Sequence, residues 1–266
     1  MSFTQVGELR YYQIELYGLP GLVHAVFTRQ GGVSPTPWKS LNLGGLSGDS
    51  KENVIENRRR IFEAVGLQVE SIYDVWQVHG TNVICTDSPR PLDMAHIKAD
   101  AILTDNPQVT LFMRFADCVP IFLYDPVRRV VGMAHAGWQG TILQIARITV
   151  ERMVSEYGSN PGDILAAIGP SIGSDHYEIG PDVAEKVRTA FSENASQLLI
   201  NRQGKIFFDL WKTNQVILEN AGIKQTQVAG LCTACHTEDW YSHRVEHGKT
   251  GRFGALIALK GESSLQ

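Results

Sequence analysis

The stretch at 116–141 constrains the fold more than any other part of the chain. It reads ADCVPIFLYDPVRRVVGMAHAGWQGT, in which two apolar runs flank Asp125-Pro126-Val127-Arg128. Proline at the second position of such a tetrapeptide is typical of a β-turn. Apolar residues then recur at helical spacing over 141–157. The stretch therefore predicts an antiparallel hairpin that leads through a glycine-rich turn into a helix.

The hairpin register predicts a pair of metal ligands. A turn centred between Pro126 and Val127 places Cys118 directly opposite His135. Opposed residues on antiparallel strands share a face, with Cβ atoms roughly 5 Å apart. That separation suits a thiolate and an imidazole that bind one ion at about 2.3 and 2.0 Å. A bulge would change this register. On a regular strand Asp117 points to the opposite face, and it serves the site only if the chain breaks just before the strand.

His79 is the best candidate for a third ligand. It ends an apolar run, DVWQVH at 74–79, and Gly80 follows, which frees the backbone to turn. Three protein ligands with one open position are typical of a catalytic rather than a structural zinc site. Because the three residues are scattered along the chain, the spacing alone also permits the alternative that each histidine is a hydrogen-bonded core residue.

The turn after His135 offers a candidate anion site. Its sequence is AGWQGT at 136–141, and it joins a predicted strand to a predicted helix. Unpaired N–H groups at a helix N-terminus attract phosphate, so Gly137, Gly140 and Thr141 are candidate phosphate-binding residues. The alternative is an ordinary tight turn, since an isolated G-x-x-G has low specificity.

The rest of the chain mixes strand-like and helix-like segments without a regular βαβ rhythm. Apolar runs predict strands at 22–28, 73–78, 82–86, 109–115, 119–124, 130–134, 164–168 and 254–259. Periodicity and capping residues predict helices at 51–65, 141–157, 181–191 and 210–220. Gly, Ser and Pro mark 29–48 as a long loop. We therefore expect an α+β fold of mixed or antiparallel sheets packed with helices, in a single catalytic domain over residues 1–266.

Composition argues against several classes of protein. The 266 residues carry a net charge of −4 and are 43% hydrophobic, which is ordinary for a globular chain and unlike a basic nucleic-acid binder. No apolar run approaches the roughly 18 residues of a membrane span, and the first residues do not resemble a signal peptide. Four cysteines without an export signal indicate free thiols in a reducing compartment. We expect a cytoplasmic protein with neither nucleic acid nor membrane as a partner.

Five motifs occur in an order that identifies a family. They are WQVHG (76–80), ADCVPIFLYDP (116–126), AHAGWQGT (134–141), AIGPSIGSDHYEIG (167–180) and SHRVEHGKTGR (242–252). Together they resemble the YfiH-type multicopper polyphenol oxidase, or laccase-domain, family, whose members are also described as purine nucleoside phosphorylases. The resemblance begins at TRQGGVS (28–34) and covers nearly the whole chain.

The resemblance implies a specific site and activity. It implies that His79, Cys118 and His135 bind a single zinc ion. It implies phosphorolysis of adenosine, inosine, guanosine and methylthioadenosine to the base and a pentose 1-phosphate, and hydrolytic deamination of adenosine. It also implies stacked sheets covered by helices, a layered α/β/β/α sandwich. Purine nucleosides and phosphate are the implied partners, and the oligomeric state stays open.

Phosphorolysis needs donors that neutralise phosphate and hold it in line with the ribose. Arg29 in the glycine-rich loop and Arg244 in the SHR motif are candidates, and the alternative for each is a surface arginine. Asn42 and Gln77 lie in family-like motifs and are further candidates for hydrogen bonds to substrate.

Two other functions remain open. The older family name implies a copper-dependent polyphenol oxidase, and copper in the same three-ligand site is compatible with weak phenol oxidation. Blue multicopper oxidases use many His ligands, often in H-x-H pairs, whereas this chain has 8 His and no H-x-H. A cysteine hydrolase with Cys118 as nucleophile and His135 as base is the second alternative. Zinc bound to Cys118 excludes it.

The segment CTACH at 232–236 matches the pattern of c-type haem attachment. That chemistry belongs to exported proteins, so we reject it. A zinc half-site or a redox pair of Cys232 and Cys235 is an alternative, but no second C-x-x-C completes a structural zinc site. We expect two buried thiols near a turn, and an ordinary core or surface histidine at His176.

Overall fold

The computed structural model describes residues 2–15 and 21–261. Its strands are β1 Ser2–Val6, β2 Leu9–Gln13, β3 Leu22–Phe27, β4 Ile72–Tyr73, β5 Val83–Cys85, β6 Ala101–Thr104, β7 Thr110–Phe115, β8 Val119–Asp125, β9 Val130–Ala136, β10 Leu165–Ile168, β11 Glu178–Ile179, β12 Leu199–Arg202, β13 Lys205–Phe208, β14 Gln225–Val228 and β15 Phe253–Leu259. Its helices are α1 Lys51–Ala64, α2 Trp138–Ile142, α3 Ile145–Tyr157, α4 Pro181–Phe191, α5 Ala195–Leu198 and α6 Leu210–Asn220.

The strands form two six-stranded sheets and one three-stranded sheet. The first large sheet has the order β1-β2-β3-β15-β7-β4, and the second has the order β14-β10-β8-β9-β6-β5. Most pairs are antiparallel, but β4 with β7, β5 with β6 and β10 with β14 are parallel. The sheets are therefore mixed, which confirms the expected fold class.

The two large sheets stack face to face, with helices outside both. Strand β8 shows why, because all seven of its residues are buried. Phe122 and Tyr124 pack into the apolar layer between the sheets, beside Met113 and Ile257 of the first sheet. The alternate residues of β8 pack in a second layer with α3, α4 and α6. Phe62 of α1 packs on the outer face of the first sheet. The layers thus follow the predicted α/β/β/α order.

The β8–β9 hairpin has a different register from the one predicted. Its turn spans four residues, because Asp125 pairs with Val130. The carboxylate of Asp125 accepts hydrogen bonds from the N–H groups of Val127 and Arg128, both at 2.9 Å, and this side chain holds the wider turn. As a result Pro120, not Cys118, lies opposite His135. Cys118 therefore precedes β8 and approaches His135 diagonally.

Other predicted boundaries also change. The helix expected at 141–157 is two helices, because Gln144 adopts a left-handed backbone with φ 59° between α2 and α3. The strand expected at 73–78 ends at Tyr73, and the chain then continues irregularly to His79. Sequence patterns missed seven strands, which are short or polar: β1, β2, β6, β11, β12, β13 and β14. Among the described helices, none has the length and apolarity needed to cross a lipid bilayer.

Candidate metal centre

His79, Cys118 and His135 converge at one end of the second large sheet. One donor atom from each lies within 4.8 Å of the others, and Cys118 Sγ is 3.7 Å from His79 Nε2. His135 lies in β9, Cys118 directly precedes β8, and His79 belongs to the irregular segment after β4. The structure therefore brings the three sequence-predicted ligands together, although the hairpin register that suggested two of them was wrong.

Asp100 holds two of the three residues, His135 by its side chain and His79 by its backbone. Its buried carboxylate accepts a hydrogen bond from His135 Nδ1 at 2.8 Å and from the His79 backbone N–H at 2.9 Å. The Gly80 N–H donates to its other oxygen at 2.7 Å. Burial opposes ionisation of Asp100, but these hydrogen bonds hold its pKa below the usual value. Because Nδ1 of His135 donates to Asp100, Nε2 is the nitrogen left to face the cluster.

Sequence reasoning missed Asp100. The signal available was a single carboxylate among apolar residues, in ADAIL at 99–103, just before β6. A lone buried carboxylate needs partners, but the sequence does not show which ones. The partners here are 20 to 35 positions away along the chain.

Backbone strain positions the ligands. His79 has φ 61° and Asp117 has φ 82°, both in the left-handed region that non-glycine residues seldom adopt. The break at Asp117 turns its carboxylate inward, where it accepts from Thr233 Oγ1 and from the Arg244 N–H, both at 2.7 Å. Asp117 thus lies at the pocket wall. The sequence allowed this position only if the chain broke just before the strand, as it does here.

Gly137 leaves the space that the ligands occupy. A Cβ atom at this position would lie 2.7 Å from His79 Cδ2 and 3.0 Å from Cys118 Sγ, which is too close for any side chain. Gly137 is therefore required beside the cluster and lines the pocket. Gly140 and Thr141, the other candidate phosphate-binding residues of this turn, are buried and do not line the pocket. Thr141 Oγ1 instead accepts from Asn214 Nδ2 at 3.0 Å.

The electrostatics of the ligands favour a thiolate. Burial disfavours the charged forms of both Cys118 and His135. The charges of His135 and His79 and their hydrogen bonds to Cys118 together outweigh burial, and they lower the pKa of Cys118 to about 6. The attraction to the Cys118 thiolate, with the hydrogen bond to Asp100, raises the pKa of His135 to about 9. Cys118 is therefore available as a thiolate, the form that binds metals or attacks substrates.

The three ligands open into a pocket of about 730 Å³, within the range typical of small-molecule sites. Aromatic side chains line part of its wall: Trp76, Phe115, Trp138 and Tyr177. Arginines line another part: Arg58, Arg114, Arg244 and Arg252. The loop Gly44–Ser47 closes one side. The pocket thus combines flat apolar surface with positive charge beside the candidate metal ligands.

Arg58 and Arg114 form a positively charged wall that the sequence did not reveal. They share Asp74 with Arg90 and His96, at distances from 2.7 Å (Arg90) to 3.9 Å (Arg114). Burial opposes ionisation of Asp74, but these neighbours hold its pKa well below the usual range. One carboxylate therefore faces three guanidinium groups, and the wall keeps a net positive charge.

Arg58 has unused hydrogen-bonding capacity within this wall. Its Nε is buried and has no hydrogen-bond partner among residues 2–15 and 21–261. Burial also lowers the pKa of Arg58 and of Arg114, the latter to about 10, so both stay charged at neutral pH. A buried donor without a partner costs free energy, which an anionic ligand in the pocket can recover.

The other predicted substrate residues have different places. Arg244 lines the pocket, with its guanidinium over the Tyr177 ring at 5.0 Å. Gln77 also lines it and pairs through both amide atoms with the Arg114 backbone. Asn42 is buried and braces the loop before α1, where its Oδ1 accepts from the Arg252 N–H at 2.9 Å. Arg29 lies outside this pocket, in a separate cavity, where it pairs with Glu246.

Comparisons with known proteins agree with this architecture. A family model described as multi-copper polyphenol oxidoreductase laccase matches residues 23–260. A purine nucleoside phosphorylase of Deinococcus radiodurans is 40% identical over 89% of this chain and 88% of its own. The purine nucleoside phosphorylase YlmD of Bacillus subtilis is 38% identical over 88% and 87%. The crystal structure of a hypothetical protein YfiH from Bacillus licheniformis superposes with a TM-score of 0.89 at 35% identity, covering 97% of this chain and 99% of that one.

Proposed function

Since the chain belongs to the multi-copper polyphenol oxidoreductase laccase family, we propose that it is a zinc-dependent purine nucleoside phosphorylase that also deaminates adenosine. Two relatives carry the name purine nucleoside phosphorylase. The observation that carries the proposal is the convergence of three metal-binding donors with an arginine wall in one pocket. The proposed substrates are adenosine, inosine, guanosine and methylthioadenosine, used with phosphate by one catalytic domain in the cytoplasm.

The donor set fits a catalytic zinc ion. His79 and His135 would hold the metal through imidazole nitrogen and Cys118 through its thiolate, and three such ligands leave one position open. The lack of a side chain at Gly137 supports this fit, because a Cβ atom there would collide with His79 and Cys118. A zinc ion with an open position supplies Lewis-acid activation of water or of a substrate oxygen. Copper binds the same ligand types, so the metal must be identified by measurement.

The arginine wall suits the second substrate. In phosphorolysis a phosphate oxygen bonds to C1′ of the ribose while the bond from C1′ to the purine nitrogen breaks, and the base leaves with a proton. Phosphate therefore needs a fixed position and neutralising donors. Arg58 and Arg114 offer both, since Asp74 holds them and leaves net positive charge on the wall. We assign phosphate to this wall in place of Arg29, which lies outside the pocket.

The aromatic part of the pocket suits the purine. Trp76, Trp138 and Tyr177 present flat surface within the same cavity as the three metal-binding donors. A purine bound there is partly shielded from water and lies near the ligand cluster. Deamination replaces the amino group on purine C6 with an oxygen from water and releases ammonia. Both reactions therefore use one pocket, with phosphate required for only the first.

The test is a product assay on the metal-quantified protein. Adenosine is incubated in phosphate buffer and in phosphate-free buffer, and the products are separated by chromatography. We expect adenine only with phosphate, inosine in either buffer, and neither product after zinc removal. Cys118→Ala should lose both the zinc of this cluster and all turnover, whereas Cys85→Ala, a cysteine outside the cluster, should keep both. An active Cys118→Ala protein that still holds this zinc would overturn the proposal.

The low pKa of Cys118 is also compatible with a second function, that of a cysteine hydrolase. Without metal, the Cys118 thiolate and the protonated His135 form a nucleophile and acid pair, as in cysteine hydrolases. The same measurement separates the two functions. Protein that holds no zinc and leaves nucleosides unchanged, yet whose Cys118 is rapidly alkylated, would favour the hydrolase. Stoichiometric copper with oxidation of phenols would instead favour the polyphenol oxidase.

A further inference from the structure

A second group of metal-binding side chains lies beside the pocket. Asp175, His176, Cys232 and Cys235 each place one donor atom within 4.8 Å of the other three. The two cysteines come from the C-x-x-C segment, and the Asp-His pair comes from the loop between β10 and β11. Of these residues Cys232 is buried, whereas Cys235 is exposed, so the expectation of two buried thiols was wrong. The missing half of the C-x-x-C site is the Asp-His pair.

The distances between these donors match a tetrahedral site. With Zn–S bonds of about 2.3 Å and Zn–N or Zn–O bonds of about 2.0 to 2.1 Å, the edges of a tetrahedron measure roughly 3.3 to 3.8 Å. His176 Nδ1 lies 3.8 Å from Cys232 Sγ and 3.5 Å from Cys235 Sγ. Asp175 Oδ2 lies 3.3 Å from Cys235 Sγ and 3.1 Å from His176 Nδ1. Four of the six edges thus lie in or close to this range, and the other two are no longer than 4.8 Å.

The surrounding backbone also supports a bound thiolate. The Gly173 N–H donates a hydrogen bond to Cys232 Sγ at 3.2 Å, and outer-shell hydrogen bonds of this kind accompany metal ligands. Gly173 fits closely, because a Cβ there would lie 2.5 Å from Asp175 Oδ1 and 3.3 Å from Cys232 Sγ. A β-bridge between Ser171 and Cys232 aligns the two loops. The loops are therefore held together before any metal binds.

We propose that Asp175, His176, Cys232 and Cys235 bind a second zinc ion in a closed, structural site. Four protein ligands fill a tetrahedral shell and leave no position for water or substrate. Two thiolates with an imidazole favour zinc over magnesium or calcium, which prefer oxygen ligands. This ion is distinct from the one proposed at His79, Cys118 and His135, and the chain then holds one zinc at each cluster.

The second site is coupled to the catalytic pocket through Asp117. Thr233, between the two cysteines, donates through Oγ1 to Asp117 Oδ1 at 2.7 Å. Ile172, on the other loop, donates its N–H to the Asp117 carbonyl at 3.0 Å. Asp117 directly precedes Cys118. A zinc ion that joins the two loops therefore fixes these two contacts of Asp117, the residue that positions Cys118. It stabilises one wall of the pocket without taking part in the reaction.

Metal counting on substituted proteins tests the proposal. We expect Cys235→Ser to contain one zinc per chain less than the native protein by elemental analysis, while Cys85→Ser contains the native amount. Cys235 is exposed, so the substitution leaves the core unchanged, and circular dichroism checks the fold. Cys118→Ala should also lose one zinc, and the double variant Cys118→Ala/Cys235→Ser should lose both. Native zinc content in Cys235→Ser would overturn the second site.

A spectroscopic measurement isolates this cluster from the catalytic one. In cobalt-loaded Cys118→Ala, we expect thiolate-to-cobalt absorption from the second site, and Cys235→Ser in that background should reduce it strongly. Absence of this absorption in Cys118→Ala would contradict the proposal. Alkylation of the protein without prior reduction tests the alternative that the two cysteines form a disulfide. A Cys232–Cys235 disulfide would resist alkylation even when no metal is present. Detection of that disulfide in the native protein would identify a redox pair and overturn the zinc site.

Discussion

The hydrogen bond from His135 Nδ1 to Asp100 Oδ1, at 2.8 Å, fixes which nitrogen of His135 faces His79 and Cys118 in the candidate metal centre. The same carboxylate receives the backbone N–H groups of His79 and Gly80. One buried side chain therefore positions two ligands that lie far apart in the sequence. Such outer-shell carboxylates raise the basicity of a ligating imidazole and prevent its rotation.

Asp100→Asn should weaken zinc binding at this cluster about 10- to 100-fold, a typical loss when an outer-shell partner is replaced. The amide keeps the size of the carboxylate but loses its charge. A competition titration with a zinc chelator measures the change. Asp105→Asn, an exposed position just after β6, is the matched control and should bind zinc normally. Equal affinities in the two variants would show that Asp100 does not support the metal ligands.

Arg58→Gln should raise the KM for phosphate by about tenfold or more, because a charged hydrogen bond contributes roughly 1.5 to 3 kcal/mol and each 1.4 kcal/mol is about tenfold. Adenosine deamination in phosphate-free buffer should change little. The neighbouring Arg59→Gln is the control, since Arg59 is exposed and pairs with Glu56 and Glu63 on its own helix. An unchanged phosphate KM in Arg58→Gln would move the phosphate site away from this wall.

Gly137→Ala should abolish metal binding at the catalytic cluster while leaving the fold intact. The added Cβ would meet His79 Cδ2 at 2.7 Å and Cys118 Sγ at 3.0 Å, so at least one ligand must move. Elemental analysis should show one zinc per chain less, together with loss of nucleoside turnover. Gly45→Ala, with open space around its Cβ position in the loop at the pocket edge, should retain its zinc. A fully metal-loaded Gly137→Ala protein would contradict the geometry described here.

His24 should make the stability of the fold depend on pH. Burial lowers the pKa of His24 from 6.5 to about 4, and its Nε2 accepts the Ile14 N–H at 2.9 Å. The unfolded chain therefore binds a proton more readily than the folded one. The contribution of the neutral imidazole is fully present above pH 6.5 and declines by up to about 3 kcal/mol as the pH falls to about 4.

Denaturant unfolding at a series of pH values measures this effect. His24→Gln keeps an acceptor near the position of Nε2 but cannot titrate, so its free energy of unfolding should fall less steeply between pH 6.5 and 4. His236→Gln, at an exposed histidine, should follow the native pH dependence. If His24→Gln shows the native slope, another group is responsible for the acid sensitivity.

The residues that the sequence predicted well are those with local signals. Apolar runs revealed the central strands, and glycines and caps revealed α1, α4 and α6. The hairpin was predicted with the wrong register, because the turn width depends on the Asp125 side chain binding two N–H groups rather than on the proline. Nevertheless Cys118 and His135 meet, since the shift is by an even number of residues and preserves the face on which they lie.

The residues that the sequence missed act through contacts that no local pattern encodes. Asp100, Arg58 and Arg114 acquire roles only when distant segments pack together, as Arg58 of α1 does with Asp74 after β4. The place of Arg29 depends on such a contact too, because its loop folds toward Glu246 instead of the ligand cluster. Likewise the C-x-x-C segment looked incomplete until the fold placed Asp175 and His176 beside it.

The four-residue turn between β8 and β9 lies at the opposite end of the hairpin from Cys118 and His135. Insertion of one residue within either strand would move all following side chains to the other face of the sheet. Such an insertion would remove His135 from the pocket even if the inserted residue lay outside the pocket. The length of this hairpin therefore belongs to the candidate metal centre as much as its side chains do. Chains that share the site should vary in the composition of the turn far more than in the number of residues between Cys118 and His135.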